Sequence, residues 1–585
     1  MTDLEECLVM LRPLRSLVRY CILSGLMASV GLLGLGCGGY SAPSPSSQPA
    51  SVTVSPATAS VPVSGMQNFA ATVMNDYLNR GVTWALSGSG CNGATCGSLS
   101  NVASTAVTYN APATAPTPNT VVLTATSVND TTKSATAMIT VTAAVAPRTA
   151  ALSVTMAGTT AGTLTFSNTP LLSPKGSSEP EIAFNGHLMA ITSLGWLFPF
   201  GTQLWTGDFS SMPNLQGAID SALTKAGFAV VFGGGDADVD LGSTGTLHAT
   251  TIVIPINKPF RAAQISVAAI TCPGATSPSF SISNCTAEII DLAGNDRPWI
   301  TSDGPHVYIS YHDAGNSALI RVQRSDDDGL AWTRVGDAIT GAGATTGNST
   351  VNNIGGPIVA DPVSHNIYDI FAAGQVGILK AKTADFNDVF VSRSTDGGRH
   401  WTPVLVFRGP LFSTNMNVFP AVAVDPTNGN VYATWSNKSS AGTHVFFSFS
   451  GDKGESWSTP VIVNVAPASS AVFPWVAAHS STVDVVYYGT TTTNTAGAVW
   501  NVYLAQTTDN GASFRQSLVS STANHAGVIC TEGTGCAPGT RNLLDLFQIS
   551  IDPLNELAAI VYVDDTLTKD SSGNPLPQTV LARQQ

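Results

Sequence analysis

Six charged residues stand just before or inside a recurring short apolar strand: Glu179, Glu181, Asp236, Asp238, Arg297 and Asp545. Loops expected on the same face add Arg408, Arg541, His312, Asp313 and Asp385. Carboxylates gathered around a funnel can pass protons across a glycosidic bond. Arginines in the same ring can grip the carboxylate of a sugar acid with paired hydrogen bonds. On this basis Asp236, Glu179 and Asp545 are the candidate catalytic residues. Arg297, Arg408, Arg541 and Asp238 are the candidate ligand-binding residues. The plainer reading of the same residues is a solvated rim, or side chains that bond the backbone of their own turns. Other chemistries find less in the chain. The nine histidines form no His-x-His or His-Glu-x-x-His cluster, so neither a metal nor another cofactor is expected. Gly233-Gly234-Gly235-Asp236 precedes a strand and not a helix, which argues against a phosphate loop. Asp326-Asp327-Asp328 offers oxygens to calcium, but its middle residue belongs to a turn motif.

Such residues need a scaffold, and the second half of the chain supplies one by repetition. A short motif, Ser/Thr-x-Asp-x-Gly-x-x-Trp/Phe, occurs four times: Ser325-Asp327-Gly329-Trp332, Ser394-Asp396-Gly398-Trp401, Ser450-Asp452-Gly454-Trp457 and Thr507-Asp509-Gly511-Phe514. Its chemistry is structural, since Asp can accept backbone N–H groups of its own turn and Gly permits the tight backbone. A second pattern, an apolar strand, a turn and another apolar strand, precedes each motif. It starts at Pro298, Pro357, Pro420 and Pro474, and recurs without the motif at Pro180, Ala237 and Gln548. The motifs resemble the Asp-box, or BNR repeat, of sialidases and related β-propellers. The resemblance implies a propeller of six or seven four-stranded blades over residues 145–585, with the boxes on hairpins away from the active face. The strand near Leu164-Thr165-Phe166 is placed to complete the short last blade. Residues 196–234 and 259–296 read as inserts that cap or flank the mouth.

Sialidases carry three arginines around the substrate carboxylate, a Tyr/Glu nucleophile pair and an Asp acid, with the first arginine in Arg-Ile-Pro. This sequence has no Arg-Ile-Pro; the nearest shape, Pro259-Phe260-Arg261, lacks it. Arg324, Arg393, Arg399 and Arg515 adjoin the boxes and belong to the other face. The resemblance therefore reaches the fold further than the activity. Three functions stay open: a propeller that binds a glycan or protein ligand at its mouth, a sialidase-like exo-glycoside hydrolase, and a structural or assembly propeller at the cell surface.

Upstream, residues 51–144 alternate in short strands separated by turn residues, as in a β-sandwich. They resemble bacterial Ig-like modules through Thr83-Trp84 and Tyr109-Asn110-Ala111-Pro112, with Trp84 expected to plug the core. The whole chain is thus read as all-β, an Ig-like β-sandwich followed by a propeller. Residues 1–37 read as a signal peptide, with Arg12, Arg15 and Arg19 before an apolar run. That run ends in Leu35-Gly36-Cys37, which resembles a lipobox and makes Cys37 the expected lipidation site. Residues 38–50 form a Ser/Pro-rich tether. Six cysteines fall into three close pairs, Cys91 with Cys96, Cys272 with Cys285, and Cys530 with Cys536, which suggests disulfides in an oxidising compartment. The expected location is the bacterial cell envelope or the extracellular space, with a lipid anchor in the membrane. A net charge of −13 and the absence of Lys/Arg blocks argue against nucleic acid.

Overall fold

A computed structural model describes residues 51–585 apart from 64, 77–78, 143–154, 198–200, 228, 233–234, 257–264, 278–279, 293–294, 314–318, 341–352, 374–385, 411–413, 416–417 and 440–441. The signal peptide, Cys37, the tether, Arg261 and Asp385 lie outside the described residues. No helix among the described residues is long and apolar enough to cross a membrane.

Two four-stranded sheets form the sandwich. One holds Ser51–Ser55, Met66–Met74, Ala106–Asn110 and Ser98–Ser100; the other holds Thr58–Pro62, Ser134–Thr142, Thr120–Ser127 and Val82–Ser87. Thr120–Ser127 alternates half-buried and buried positions along its length, as a strand facing a core on one side must. Phe69, Tyr109, Leu123 and Ile139 from both sheets meet in the shared core. Trp84 was expected to plug that core. It instead packs at the core's edge, half-buried, with its Nε1 donating to the Ala103 carbonyl at 2.9 Å. The fully buried Tyr109 fills the centre and donates its hydroxyl to the Cys96 carbonyl at 2.8 Å.

Seven further sheets form the propeller. Their innermost strands are Ser178–Asn185, Ala237–Leu241, Asn295–Asp303, Asn353–Ala360, Ala421–Val424, Ser470–His479 and Gln548–Ile551, which begin blades 1 to 7 in order. Each contacts the next, and the seventh contacts the first, so the ring is closed. All seven strand starts read from the sequence are innermost strands. Much of residues 196–234 and 259–296 belongs to the blades themselves, apart from the helix Ser221–Lys225 and the strand Ala229–Phe232, which pairs with the end of Leu247–Ile256 beyond its pairing with Ala237–Leu241. Thr202–Asp208 with Asn214–Ala218, and Ser266–Cys272 with Thr286–Asp291, are the third and fourth strands of blades 1 and 2. These blades lack the Asp-containing turn that joins the same strands in blades 3 to 6.

Residues 155–171 bind the ring from outside. Thr155–Met156 pairs parallel with Val461–Ile462 of blade 5, and Gly158–Ala161 pairs parallel with Ser513–Leu518 of blade 6. Phe166–Leu171 then pairs antiparallel with Pro575–Gln584 and becomes the outermost strand of blade 7.

The four repeated turns share one set of hydrogen bonds. The Ser325 hydroxyl donates to Asp327 Oδ1 at 2.8 Å and accepts the Gly329 N–H at 2.9 Å. Asp327 Oδ1 also accepts the Ala331 N–H at 2.8 Å. The same three bonds join Ser394, Asp396, Gly398 and His400. They recur at Ser450, Asp452, Gly454 and Ser456, and at Thr507, Asp509, Gly511 and Ser513. The four glycines have φ of 82–86°, a region in which a side chain is strained. Asp326 and Asp328 are also engaged, the first by Arg324 and His306 and the second by Thr244, Thr246 and His248.

All three expected disulfides form.

Candidate functional site

Four of the innermost strands begin with the same irregularity. In blades 1, 3, 4 and 6 the register against the second strand slips by one residue, between Ser178 and Glu181, Asp296 and Trp299, Gly355 and Ile358, and Val472 and Trp475. Each slip is a β-bulge, and each contains an X-Pro pair: Glu179-Pro180, Arg297-Pro298, Gly356-Pro357 and Phe473-Pro474. Proline suits the bulge because it has no N–H to give the ladder. The bulge turns the residue before proline out of the strand's alternation. Glu179, Arg297 and Phe473 consequently sit at φ of 45°, 43° and 54°. For a residue with a side chain, and before proline, that conformation costs roughly 1–3 kcal/mol. Gly356 occupies the same place in blade 4, where a Cβ would lie 2.1 Å from the Pro420 carbonyl oxygen.

These positions form the mouth of the propeller, and it is divided. Blades 7, 1, 2 and 3 contribute charge, and blades 4, 5 and 6 contribute Gly356, Phe419 and Phe473. At the centre of the charged half, Arg297 is 3% exposed. Its guanidinium donates to Glu179 at 3.3 Å and Glu181 at 2.9 Å, and lies 3.7 Å from Asp236. The same cation lies 4.2 Å from the centroid of the Trp299 ring and 5.1 Å from that of Phe419. Trp299 in turn packs against Phe419 and Trp475, with centroids 5.4 Å apart in both pairs. A cation inside a shell of carboxylates and ring faces is electrostatically satisfied. Burial disfavours its charge, but Glu179, Asp236 and Glu181 outweigh that and raise its pKa.

The acids carry the converse shift. Burial, reinforced by the negative charge of Asp236, pushes Glu179 up to about 8 against the pull of Arg297. Glu181 is raised by burial and by Asp238. Burial also lifts Asp236 and Asp545. Asp545 is held by Arg541 through two nitrogens, Nε at 3.1 Å and Nη2, and its backbone N–H donates to Glu179 Oε1 at 3.1 Å. The side chains of Asp236, Asp545 and Arg541 keep 27%, 15% and 30% of their surface exposed and form the outer rim.

The structure thus gathers Glu179, Glu181, Asp236, Arg297, Arg541 and Asp545 into one cluster. It sets the other candidates apart. Asp238, expected to face a ligand, spends its oxygens on the backbone N–H groups of Ile300 (2.9 Å) and Val239 (3.0 Å) and on Gln548 (3.4 Å). Burial moves it to about 7. It stitches blades 2, 3 and 7 together. Arg408, expected in a clasp, ends the outermost strand of blade 4 and pairs with Asp388 at 3.2 Å. Asp313 is bound to Arg321 on the second and third strands of blade 3. The aromatic residues of the mouth, Trp299, Phe419, Phe473 and Trp475, carry no charge or motif that marks them in the sequence. The signal available for Phe419 and Phe473 was the residue before each strand-opening proline.

Beyond the cluster a cavity of about 410 Å³ continues along the ring axis, lined by all seven innermost strands. It runs from Asp238, Gln548 and Trp475 to Pro362, Pro426 and Pro553.

No protein-family model matches this chain, and no curated protein matches it. Among solved structures it is similar to an ulvan-degrading polysaccharide lyase at 10% identity, over 70% of this chain and 92% of the other, with a TM-score of 0.41. It is similar to the Aleuria aurantia lectin, a six-bladed β-propeller, at 11% identity, over 63% of this chain and 100% of the other, with a TM-score of 0.35. A sialidase from Streptococcus pneumoniae is similar at 9% identity, over 71% of this chain and 69% of the other, with a TM-score of 0.34.

Proposed function

We propose that this is an exported surface protein whose propeller binds a glycan at its mouth. The observation that carries the reading is the partly exposed rim of Asp236, Asp545 and Arg541. It stands over a buried acid–arginine cluster whose cation, Arg297, lies against the half-buried ring of Phe419. Carboxylates and a guanidinium hydrogen-bond sugar hydroxyls, and an aromatic face covers the apolar side of a sugar ring. Arg297 is the supporting post of this site. Its cation is already shared among three carboxylates, which leaves it outside any clasp. Export through residues 1–37, with lipidation at Cys37, is part of the same proposal, and the three local disulfides suit an oxidising compartment. A glycan array probed with the full chain tests the reading. Binding that is lost in Arg541→Ala and Asp545→Asn, with the fold intact by circular dichroism, is the expected result. Binding that survives both substitutions moves the site away from the mouth.

A sialidase-like hydrolase is the second reading. It is favoured by Glu179, whose carboxyl at about 8 keeps its proton at neutral pH, as a general acid must. Turnover of fluorogenic glycosides that Glu179→Gln and Asp236→Asn both abolish would establish it.

A further inference from the structure

We infer that Asp565 is the positioning residue of the rim, because it holds both legs of the arm that carries Arg541 and Asp545; this rests on the glycan reading above. The arm is residues 519–547, between Ser513–Leu518 of blade 6 and Gln548–Ile551 of blade 7. It is several times longer than the usual connection of about 4–6 residues, and a stretch of that length must be tied down to hold a fixed shape. Its first leg adds the short strand His525–Ala526 to the start of Val499–Thr507, the third strand of blade 6. Its tip is closed by the Cys530–Cys536 disulfide and by the Cys530 N–H, which donates to the Thr540 carbonyl at 2.8 Å. Its second leg brings Arg541 and Asp545 to the mouth, where the Asp545 N–H meets Glu179.

One carboxyl group joins the two legs at their base. Asp565 lies in Ala558–Lys569, the second strand of blade 7, where the register against Pro575–Gln584 breaks between Asp564 and Thr568. There its polar groups serve the arm. Its Oδ2 accepts His525 Nδ1 of the first leg and Asn542 Nδ2 of the second, both at 2.9 Å. Its backbone N–H donates to the Asn524 carbonyl at 3.1 Å, and the Asn524 side chain returns a bond of 2.9 Å to the Val563 carbonyl. Asp565 is 6% exposed, and opening such a buried contact leaves its donors unpaired. Asn542 adjoins Arg541, so the contact fixes the backbone of the rim guanidinium before any ligand arrives. An arm that had to be ordered at the moment of binding would subtract that cost from affinity.

The test follows amide hydrogen exchange in the full chain without ligand. The amides of Cys530, Leu544 and Asp545 are the reporters, since they bond Thr540, Arg541 and Glu179. Asp565→Ala is expected to speed their exchange about tenfold or more while the strands of blades 1 to 4 keep their protection. If that variant does not fold, Asn542→Ala frees the second leg alone and is read at Leu544 and Asp545. Asp565→Asn combined with Asn542→Asp swaps carboxylate and amide across the same contact and is expected to restore protection. On the glycan array, binding is expected to fall about tenfold in Asp565→Ala and to return in the swapped pair. Unchanged exchange in Asp565→Ala and Asn542→Ala would overturn the inference, as would a loosened arm that binds glycan as tightly as before. Absence of glycan binding by the unaltered, folded chain would overturn the glycan reading, while the exchange measurement still decides whether Asp565 holds the arm.

Discussion

Arg297 concentrates the energetics of the mouth in one side chain. Removing a buried cation leaves its partners charged and unpaired, or forces them to take up protons, at a cost of about 3–5 kcal/mol. Arg297→Met should therefore lower the urea midpoint strongly at pH 7. The deficit should be larger still at pH 9, above the value of about 8 at which Glu179 ionises beside Arg297, because without that cation the buried carboxyl keeps its proton. A midpoint equal to that of the unaltered chain at both pH values would show that the cluster contributes nothing to stability. Asp369 offers a cleaner proton handle, because no guanidinium adjoins it. Burial pushes its carboxyl up to about 8, against the pull of the neighbouring Ser310 hydroxyl. In the unfolded chain the same group titrates near its ordinary value, about 3.9. Between those values the folded state holds the extra proton, so this contribution to stability is full at low pH and is lost as pH rises towards 8. Asp369→Asn should flatten the fall in stability between pH 5 and pH 8, by up to about 1.4 kcal/mol per pH unit. An unchanged slope in that variant would refute the assignment.

At the scale of elements, the bulge and the Asp-containing turn divide the work. The turn is legible in sequence because its Ser/Thr, Asp and Gly bond to one another within five residues, so local spacing alone defines it. The bulge is half legible. Proline marks where each innermost strand begins, yet whether the preceding residue faces the axis depends on pairing with the next strand. For that reason Glu179, Asp236, Arg297 and Asp545 were nameable in advance, while their union around one guanidinium was not. The same limit explains Asp238 and Arg408. Both stand at blade positions that suggest the mouth, and both are claimed by partners from distant parts of the chain or sheet. Gly356 gives the bulge a direct test. In Gly356→Ala the new methyl must displace the backbone where blade 5 begins, because its neighbour is the Pro420 carbonyl and not a flexible side chain. A loss of about 1–3 kcal/mol is expected, read as a lowered melting temperature. No loss would mean that the blade 4 bulge relaxes freely.

The molecule as a whole is a closed ring, and its closure joins the two ends of the propeller sequence. The repeat pattern left six and seven blades open because blade 7 carries three strands at the C-terminus, Gln548–Ile551, Ala558–Lys569 and Pro575–Gln584, and borrows its fourth from Phe166–Leu171. A chain beginning at residue 164 should still close, since it loses only the short parallel pairings on blades 5 and 6. A chain beginning at residue 173 leaves the Pro575–Gln584 edge bare and should aggregate or elute as a mixture on size exclusion. Equal behaviour of the two truncations would show that the borrowed strand is dispensable. The borrowed strand also sets a timetable. Synthesis runs from the N-terminus, so Phe166–Leu171 leaves the ribosome long before Pro575–Gln584 exists, roughly 20–80 s earlier at ordinary elongation rates. Throughout that interval blades can accumulate one after another, but the circle has no last member. Completion waits for Pro575–Gln584, and a ribosome that stops short of them releases an open arc with two unpaired ends.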